Sequence, residues 1–184
     1  MTVNISKPSI NIREKLSELD FAKVPFQKMP SGSVLQVVST TKTDTFTTSS
    51  SSFTDVTGLS VLITPTSTSS KILLVLSLTA AGQNGISGAG YRLMRDSTEI
   101  GVGDSEGSRL QITGMIPYIS NTNNNQTISG SFLDSPSTTS ATTYKVQVGK
   151  SLNVYVNRTE ANTDGANIYQ ARSVSTLTAF EIAG

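Results

Sequence analysis

The chain has 184 residues, enough for one domain with a real core and a tail. Hydrophobic residues make up 36% and charged residues only 15%, which argues against ordinary disorder, and a net charge of +1 gives no footprint for nucleic acid or an anionic membrane. Cysteine and histidine are both absent, so disulfides, thiolate metal sites, Cys nucleophiles, the Ser-His triad and the usual zinc ligand are excluded, leaving any enzyme only carboxylates, lysines or tyrosines.

In chain order, the first 32 residues read differently from the rest. The start, MTVNISKPSINIREK, has no apolar signal-peptide core. Asn11 and Glu14 have capping-box spacing, and Ile12, Leu16 and Leu19 then fall on one face of a short helix ending near Asp20. Such a helix is too short to stand alone, so its stripe needs a partner surface. Two readings are open: a helix packed on its own domain, or a docking peptide seating the protein on another protein. The docking residues would be Ile10, Ile12, Leu16, Leu19 and Phe21. Pro25 and Pro30 keep the following chain extended.

From Ser33 onward the pattern is period two or short apolar runs bounded by Gly, Pro, Asn and Asp. Strands are expected near Val34–Thr41, Asp44–Thr48, Ser52–Val56, Leu59–Thr64, Ile72–Leu78, Gly90–Arg95, Glu99–Gly103, Arg109–Tyr118, Gln126–Leu133, Thr143–Val148, Asn153–Asn157 and Ser173–Ile182. Asp55 to Gly58 reads as a turn. The Ser/Thr-rich run from Thr43 to Lys71 reads as folded strands and turns, because threonine suits a pleated, wet surface. The run ILLVLSL is apolar nearly throughout, as in a central strand. Turn signals every 8–12 residues predict a β-sandwich or barrel, with no βαβ unit. The fold expected is all-β, an antiparallel sandwich of the jelly-roll kind over residues 33–184, preceded by the anchor peptide and linker of residues 1–32.

The candidate chemistry is thin. YRLMRDSTEIGVG reads as a hairpin turning at Asp96-Ser97-Thr98, whose acids (Asp96, Glu99) pair with Arg92, Arg95 or Arg109. A paired-carboxylate glycosidase or a Ca²⁺ site at Asp104 and Glu106 is the sharper reading of the same acids, without matching EF-hand spacing. Gly101, Gly103 and Gly107 lack the following helix that a phosphate loop needs. The loop SNTNNNQT gives an exposed contact loop at Tyr118, Asn121, Asn123, Asn124 and Asn125. With Tyr155 and Tyr169 it forms a candidate glycan-reading surface. Asn125-Gln126-Thr127 and Asn157-Arg158-Thr159 match glycosylation sequons, read as accidental because no export signal precedes them.

Long ordered segments carry a resemblance. GSVLQVVSTTKTDTFTTSSSSFTDVTGLSVLITPTSTSSKILLVLSL, then GYRLMRDSTEIGVGD and FLDSPSTTSATTYKVQV, resemble bacteriophage virion surface proteins of the tail-fibre and capsid-decoration type from marine and cyanobacterial phages. KPSINIREKLSELD resembles the leader of phage fibre-type proteins. The closing strands, VNRTE to STLTAFEIAG, are similar to the end of C1q/TNF-like jelly rolls. The resemblance implies a non-enzymatic homotrimer without cofactor, assembled in the bacterial cytoplasm and exposed on the virion. Its partners would be other capsid or tail proteins, or a host surface glycan if the protein is a receptor-binding adhesin. Fibre proteins with extended shafts are longer, so a knob, a short fibre tip or a capsid decoration protein is the expected form. A soluble lectin-like module unrelated to virions is the remaining alternative.

Overall fold

The computed structural model describes residues 29–84, 89–117, 120–150 and 153–184, with the backbone alone for Tyr169. The docking residues Ile10 to Phe21 and the expected helix therefore lie outside the described residues, as does Tyr118. Among the described residues there is no α-helix, only a 3₁₀ turn at Ile168–Gln170. The strands are β1 (Val34–Lys42), β2 (Phe46–Thr48), β3 (Thr54–Ile63), β4 (Lys71–Gly82), β5 (Ala89–Arg95), β6 (Thr98–Ile100), β7 (Gly114–Ile116), β8 (Gln126–Asp134), β9 (Thr142–Gly149), β10 (Val154–Val156) and β11 (Ser175–Ile182).

All pairings are antiparallel and fall into two sheets. In the first, β1 continues into β2 alongside β11 and β10, and these flank β4, whose other side carries β8. In the second, β3, β9 and β5 lie side by side, and β6 and β7 share the far side of β5. Counting β1/β2, β6/β7 and β10/β11 as single ribbons, the ribbons pair from the middle of the chain outward: fourth with fifth, third with sixth, second with seventh, first with eighth. That is one long antiparallel hairpin. Further pairing of β4 with β11 and of β5 with β9 rolls it into two facing sheets, which is a jelly roll.

The core lies between the sheets. Ile72, Leu74, Leu76 and Leu78 alternate inward along β4 and meet Val61, Leu93, Tyr144 and Val146 from the opposite sheet. Each such side chain contributes about 2 kcal/mol relative to exposure. β4 is central, as its apolar run implies, being paired on both sides.

Three expectations are corrected. Ser52–Val56 and Leu59–Thr64 are one strand, β3, and Asp55 to Gly58 is a bulge in it rather than a turn. Asp55 pairs with Gln147 and Ser60 with Lys145, so residues 56–59 stand opposite Val146 alone. Gly58, at φ +81°, supplies the left-handed step. The excursion buries both Val56 and Leu59 and returns Ser60 to the outer face. Arg109–Tyr118 shrinks to the three residues of β7, with the preceding residues forming a surface loop. The hairpin turn is Asp96-Ser97 only, since Arg95 already pairs with Thr98. There the Asp96 carboxylate accepts a hydrogen bond from the Thr143 N–H at 2.9 Å.

Candidate functional site

The roll has two ends, separated by the twelve residues of β4, roughly 35–40 Å of extended chain. Residues 29–33 enter at the first end, which also holds the C-terminus: the Gly32 N–H donates to the Ala183 carbonyl at 2.8 Å, and Ala183 N–H returns a bond to Ser33. A surface cavity of about 280 Å³ opens there between Met29, Leu35, Ser70 and Ala183. The opposite end carries the Asn-rich loop, joined to the excursion between β10 and β11 by a 3.0 Å bond from Ala161 N–H to the Thr122 carbonyl.

At the first end, the outer face of the β1–β11–β4–β8 sheet is apolar. Its registers align Val37 with Phe180, Phe180 with Leu73, and Leu73 with Leu133, one row across the full width of the sheet. Val37 is 53% and Leu133 52% exposed, with Val75 in the next row at 41%. Val34 and Ile182 extend the patch toward the chain entry. Farther along, the same face turns to hydroxyls: Ser39 beside Thr178, Thr41 beside Thr176, and Ser129 and Ser131 on β8. Ser39 and Thr178 share a 2.8 Å hydrogen bond.

A strand apolar on both sides expects cover on both sides. β4 is such a strand, yet among the described residues no layer covers Leu73 and Val75. The same signal is written in β11, STLTAFEI. Leu177 and Ala179 face the core, so fixed alternation turns Glu181 inward and Phe180 and Ile182 outward. This inversion of polarity within one strand is itself a local signal of an apolar outer face.

Two buried carboxylates hold this end together. Glu181 is fully buried, and among the described residues no cation pairs with it. Its Oε1 accepts from Thr66 N–H (2.6 Å), Thr66 Oγ1 (2.6 Å) and Ser70 Oγ (2.7 Å), and its Oε2 accepts from Gln36 Nε2 (2.6 Å). Burial alone would raise its pKa. The hydrogen bonds from Thr66, Gln36 and Ser70 outweigh burial and hold it below the ordinary glutamate value. The result ties the β3–β4 connection to β11 and β1. Asp134, 5% exposed on β8, links the two sheets. Arg95 Nη1 donates to both its oxygens at 2.9 Å, and Tyr144 Oη donates at 2.7 Å. Burial, then the Asp134 carboxylate, push the Tyr144 phenol far above its usual range. Of the acids expected on the β5–β6 hairpin, Glu99 pairs with Arg92 as anticipated. Arg95 instead takes Asp134, which the sequence did not mark.

Toward the loop end the joint combines a buried amide with a buried ammonium, Lys42, whose Nζ donates to Asp44 Oδ1 at 2.8 Å. Asn157 is fully buried where β10 gives way to β11. Its Nδ2 donates to the carbonyls of Lys42 (2.8 Å) and Asp44 (2.9 Å), its N–H to Thr79 O (2.9 Å), and its Oδ1 accepts from Ser175 Oγ (2.7 Å). It thereby spans the breaks between β1 and β2 and between β10 and β11. A buried, fully engaged amide is no glycan acceptor, so this sequon is structural. Asn121 and Asn124 are exposed, with Asn123 and Asn125 half-buried. The Asn123 N–H donates to Asn121 Oδ1 at 2.9 Å, and Asn124 N–H to the Asn121 carbonyl. Tyr155 does not offer its face to a sugar: it is buried, and the Arg158 guanidinium lies 4.4 Å over its ring. The structure therefore leaves the Asn loop without the Tyr155 platform expected beside it.

No family model matches this chain, and no curated protein matches it at the threshold applied. Among solved structures it is similar to infectious bursal disease virus, Gt strain, at TM-score 0.40 and 14% identity, over 81% of this chain and 38% of that one. For the Gx strain the figures are 0.41, 13%, 81% and 37%. For the VP2 subviral particle of the same virus they are 0.37, 14%, 81% and 37%. The chain thus spans under two fifths of the length of these structures. Likeness at this level carries no functional assignment, and the jelly-roll assignment stands on the strand order itself.

Proposed function

We propose that this protein is a non-enzymatic structural component of a bacteriophage virion, a knob, short fibre or capsid decoration protein. It assembles as a homotrimer on the particle surface and docks through its N-terminal segment. The observation that carries the reading is the exposed apolar row Val37–Phe180–Leu73–Leu133 at the end where that segment enters the sandwich. An apolar band across four strands, beside hydroxyl-rich rows that need no partner, fits a surface buried in assembly. The resemblance of the strand segments and the KPSINIREKLSELD leader to phage virion proteins supports the same reading. Residues Ile10, Ile12, Leu16, Leu19 and Phe21 would supply the apolar contacts to the capsid or tail partner.

Cryo-EM of purified virions tests this. Density for the roll at defined sites on the capsid or tail, with the first 28 residues gripping a neighbouring protein, is the expected result. Particles that lack the protein overturn it. Changing Leu16 and Leu19 to Asp should abolish incorporation while leaving the β-domain folded.

A second reading is favoured by one observation: the Asn-rich loop and the chain entry lie at opposite ends of the roll, the geometry of a module held at one end and displayed at the other. On that reading the protein is a host-receptor adhesin recognising surface glycan through Asn121, Asn123, Asn124 and Asn125. Alanine at these positions should then impair adsorption to the host while leaving particle assembly intact.

A further inference from the structure

The two long edges of the sandwich differ. At the β1–β3 edge, side chains bridge the sheets: Gln36 Nε2 donates to the Thr64 carbonyl at 2.8 Å, and Thr40 Oγ1 reaches the Gly58 carbonyl at 3.5 Å. At the other edge, β8 faces β6 and β7 across a cavity of about 180 Å³. Leu76, Leu93 and Phe132 give it apolar walls, and Gly101, Gly130 and Thr113 complete them.

Glycines create this space. A Cβ on Gly101, itself at φ +57°, would meet the Phe132 ring at 2.9 Å. A Cβ on Gly114 would stand 2.5 Å from the Tyr91 ring and 2.7 Å from its hydroxyl, and one on Gly130 would lie 3.5 Å from that hydroxyl. The Tyr91 hydroxyl therefore sits in the slot between β7 of one sheet and β8 of the other.

Tyr91 is 5% exposed, and among the described residues none hydrogen-bonds its hydroxyl. The hydroxyl opens into the cavity, where solvent or a ligand can reach it. The other polar groups of the lining are occupied or turned away. Thr113 Oγ1 accepts from Leu93 N–H at 2.9 Å and donates to the Ile100 carbonyl at 3.3 Å, while the Ser131 side chain is on the outer face. Water that enters meets mostly apolar wall and is held weakly, so a ligand with an apolar body and one polar group gains by displacing it. The cavity's volume is comparable with apolar cavities of ~150 Å³ that take up benzene.

We propose that this cavity binds a neutral molecule of single-ring size bearing one hydrogen-bonding group, its ring against Leu76, Leu93 and Phe132 and its polar group on the Tyr91 hydroxyl. Burial raises the Tyr91 pKa, so the phenol stays protonated at neutral pH and can donate as well as accept. The apolar walls disfavour a charged ligand.

The test uses the full chain and two probes of nearly equal shape, p-cresol and p-xylene, titrated by heteronuclear NMR. Saturable binding of both is expected, with p-cresol about fivefold tighter, the worth of one neutral hydrogen bond. Tyr91→Phe should bring the two affinities within about twofold by removing that bond. Gly130→Ala, whose methyl fits beside the hydroxyl at ordinary contact distance, should weaken p-cresol without unfolding the chain. Failure of both probes to saturate, or an unchanged cresol preference in a folded Tyr91→Phe chain, overturns the proposal.

Discussion

The two ends of the roll are built from different chemistry. At the chain-entry end the outer surface is apolar, and the joints beneath it are buried carboxylates: Glu181 held by hydroxyls and amides, Asp134 by Arg95 and Tyr144. Toward the loop end the outer surface carries hydroxyls, and the joint beneath it is the Asn157–Ser175 junction beside the buried Lys42 ammonium, which pairs with Asp44. A surface that solvent satisfies needs no partner, whereas an exposed apolar row gains by being covered. A charged group lies under the surface toward each end and fixes connection geometry, since charge-assisted hydrogen bonds are stronger and their loss leaves an unpaired buried group. On the proposed function, the apolar end is the one buried in assembly and the other is left for display.

The largest expected effect breaks the comparison at its apolar side. Val37→Asp with Leu133→Asp should abolish self-association or incorporation, removing about 3 kcal/mol or more of apolar burial, above a hundredfold in association. Sedimentation of the purified chain and particle composition check it. Folding should be retained, because both side chains are already half exposed.

Next is Asp134→Ala, which strands Arg95 and the buried Tyr144 hydroxyl. A loss of about 3 kcal/mol is expected in urea unfolding. Asn157→Ala follows at about 2 kcal/mol. It leaves the Lys42 and Asp44 carbonyls without the amide and places alanine at φ +60°, a conformation that asparagine tolerates better.

Acid sharpens the comparison. A carboxylate whose folded pKa lies below its unfolded value contributes stability that is complete above the unfolded value. For Glu181 that stability should fade as pH drops from about 4.5 through the lowered folded pKa. In Glu181→Gln this part of the acid limb should flatten, at a cost near neutral pH of about 1–3 kcal/mol. Gln36 cannot simply flip to accept from the new amide, because its own N–H₂ also donates to the Thr64 carbonyl.

The smallest effect is the control at the other end of the same sheet face. Thr41→Ala with Thr176→Val should change stability by about 0.5 kcal/mol or less. Association should be unchanged; a large loss of association there would dissolve the distinction between the two ends.

Much of this was legible locally. ILLVLSL announces a central strand, Asp96-Ser97 a tight turn, and the Ser/Thr-rich run proves to be strands and turns rather than a linker. The β3 bulge was misread because Asp-Val-Thr-Gly has turn composition, and only pairing with β9 keeps the chain in one strand. Asp134 falls one residue past the strand expected at Gln126–Leu133, and nothing in its neighbours marks it. Its partners Arg95 and Tyr144 lie on two strands of the other sheet, so no local pattern joins them.

The all-β class, the places where most strands form, and the lack of cysteine and histidine chemistry follow from the chain alone. Alternation, turn residues and composition act over a few neighbours, and they are enough for that. Tertiary structure alone decided that Val37, Phe180, Leu73 and Leu133 stand in one row, that Glu181 turns inward, and that Tyr91 faces a slot between Gly114 and Gly130. The reason is register. Pairing between strands far apart in the chain is selected by how both sheets close over one core, and a shift of one residue would turn each of these side chains to the opposite face.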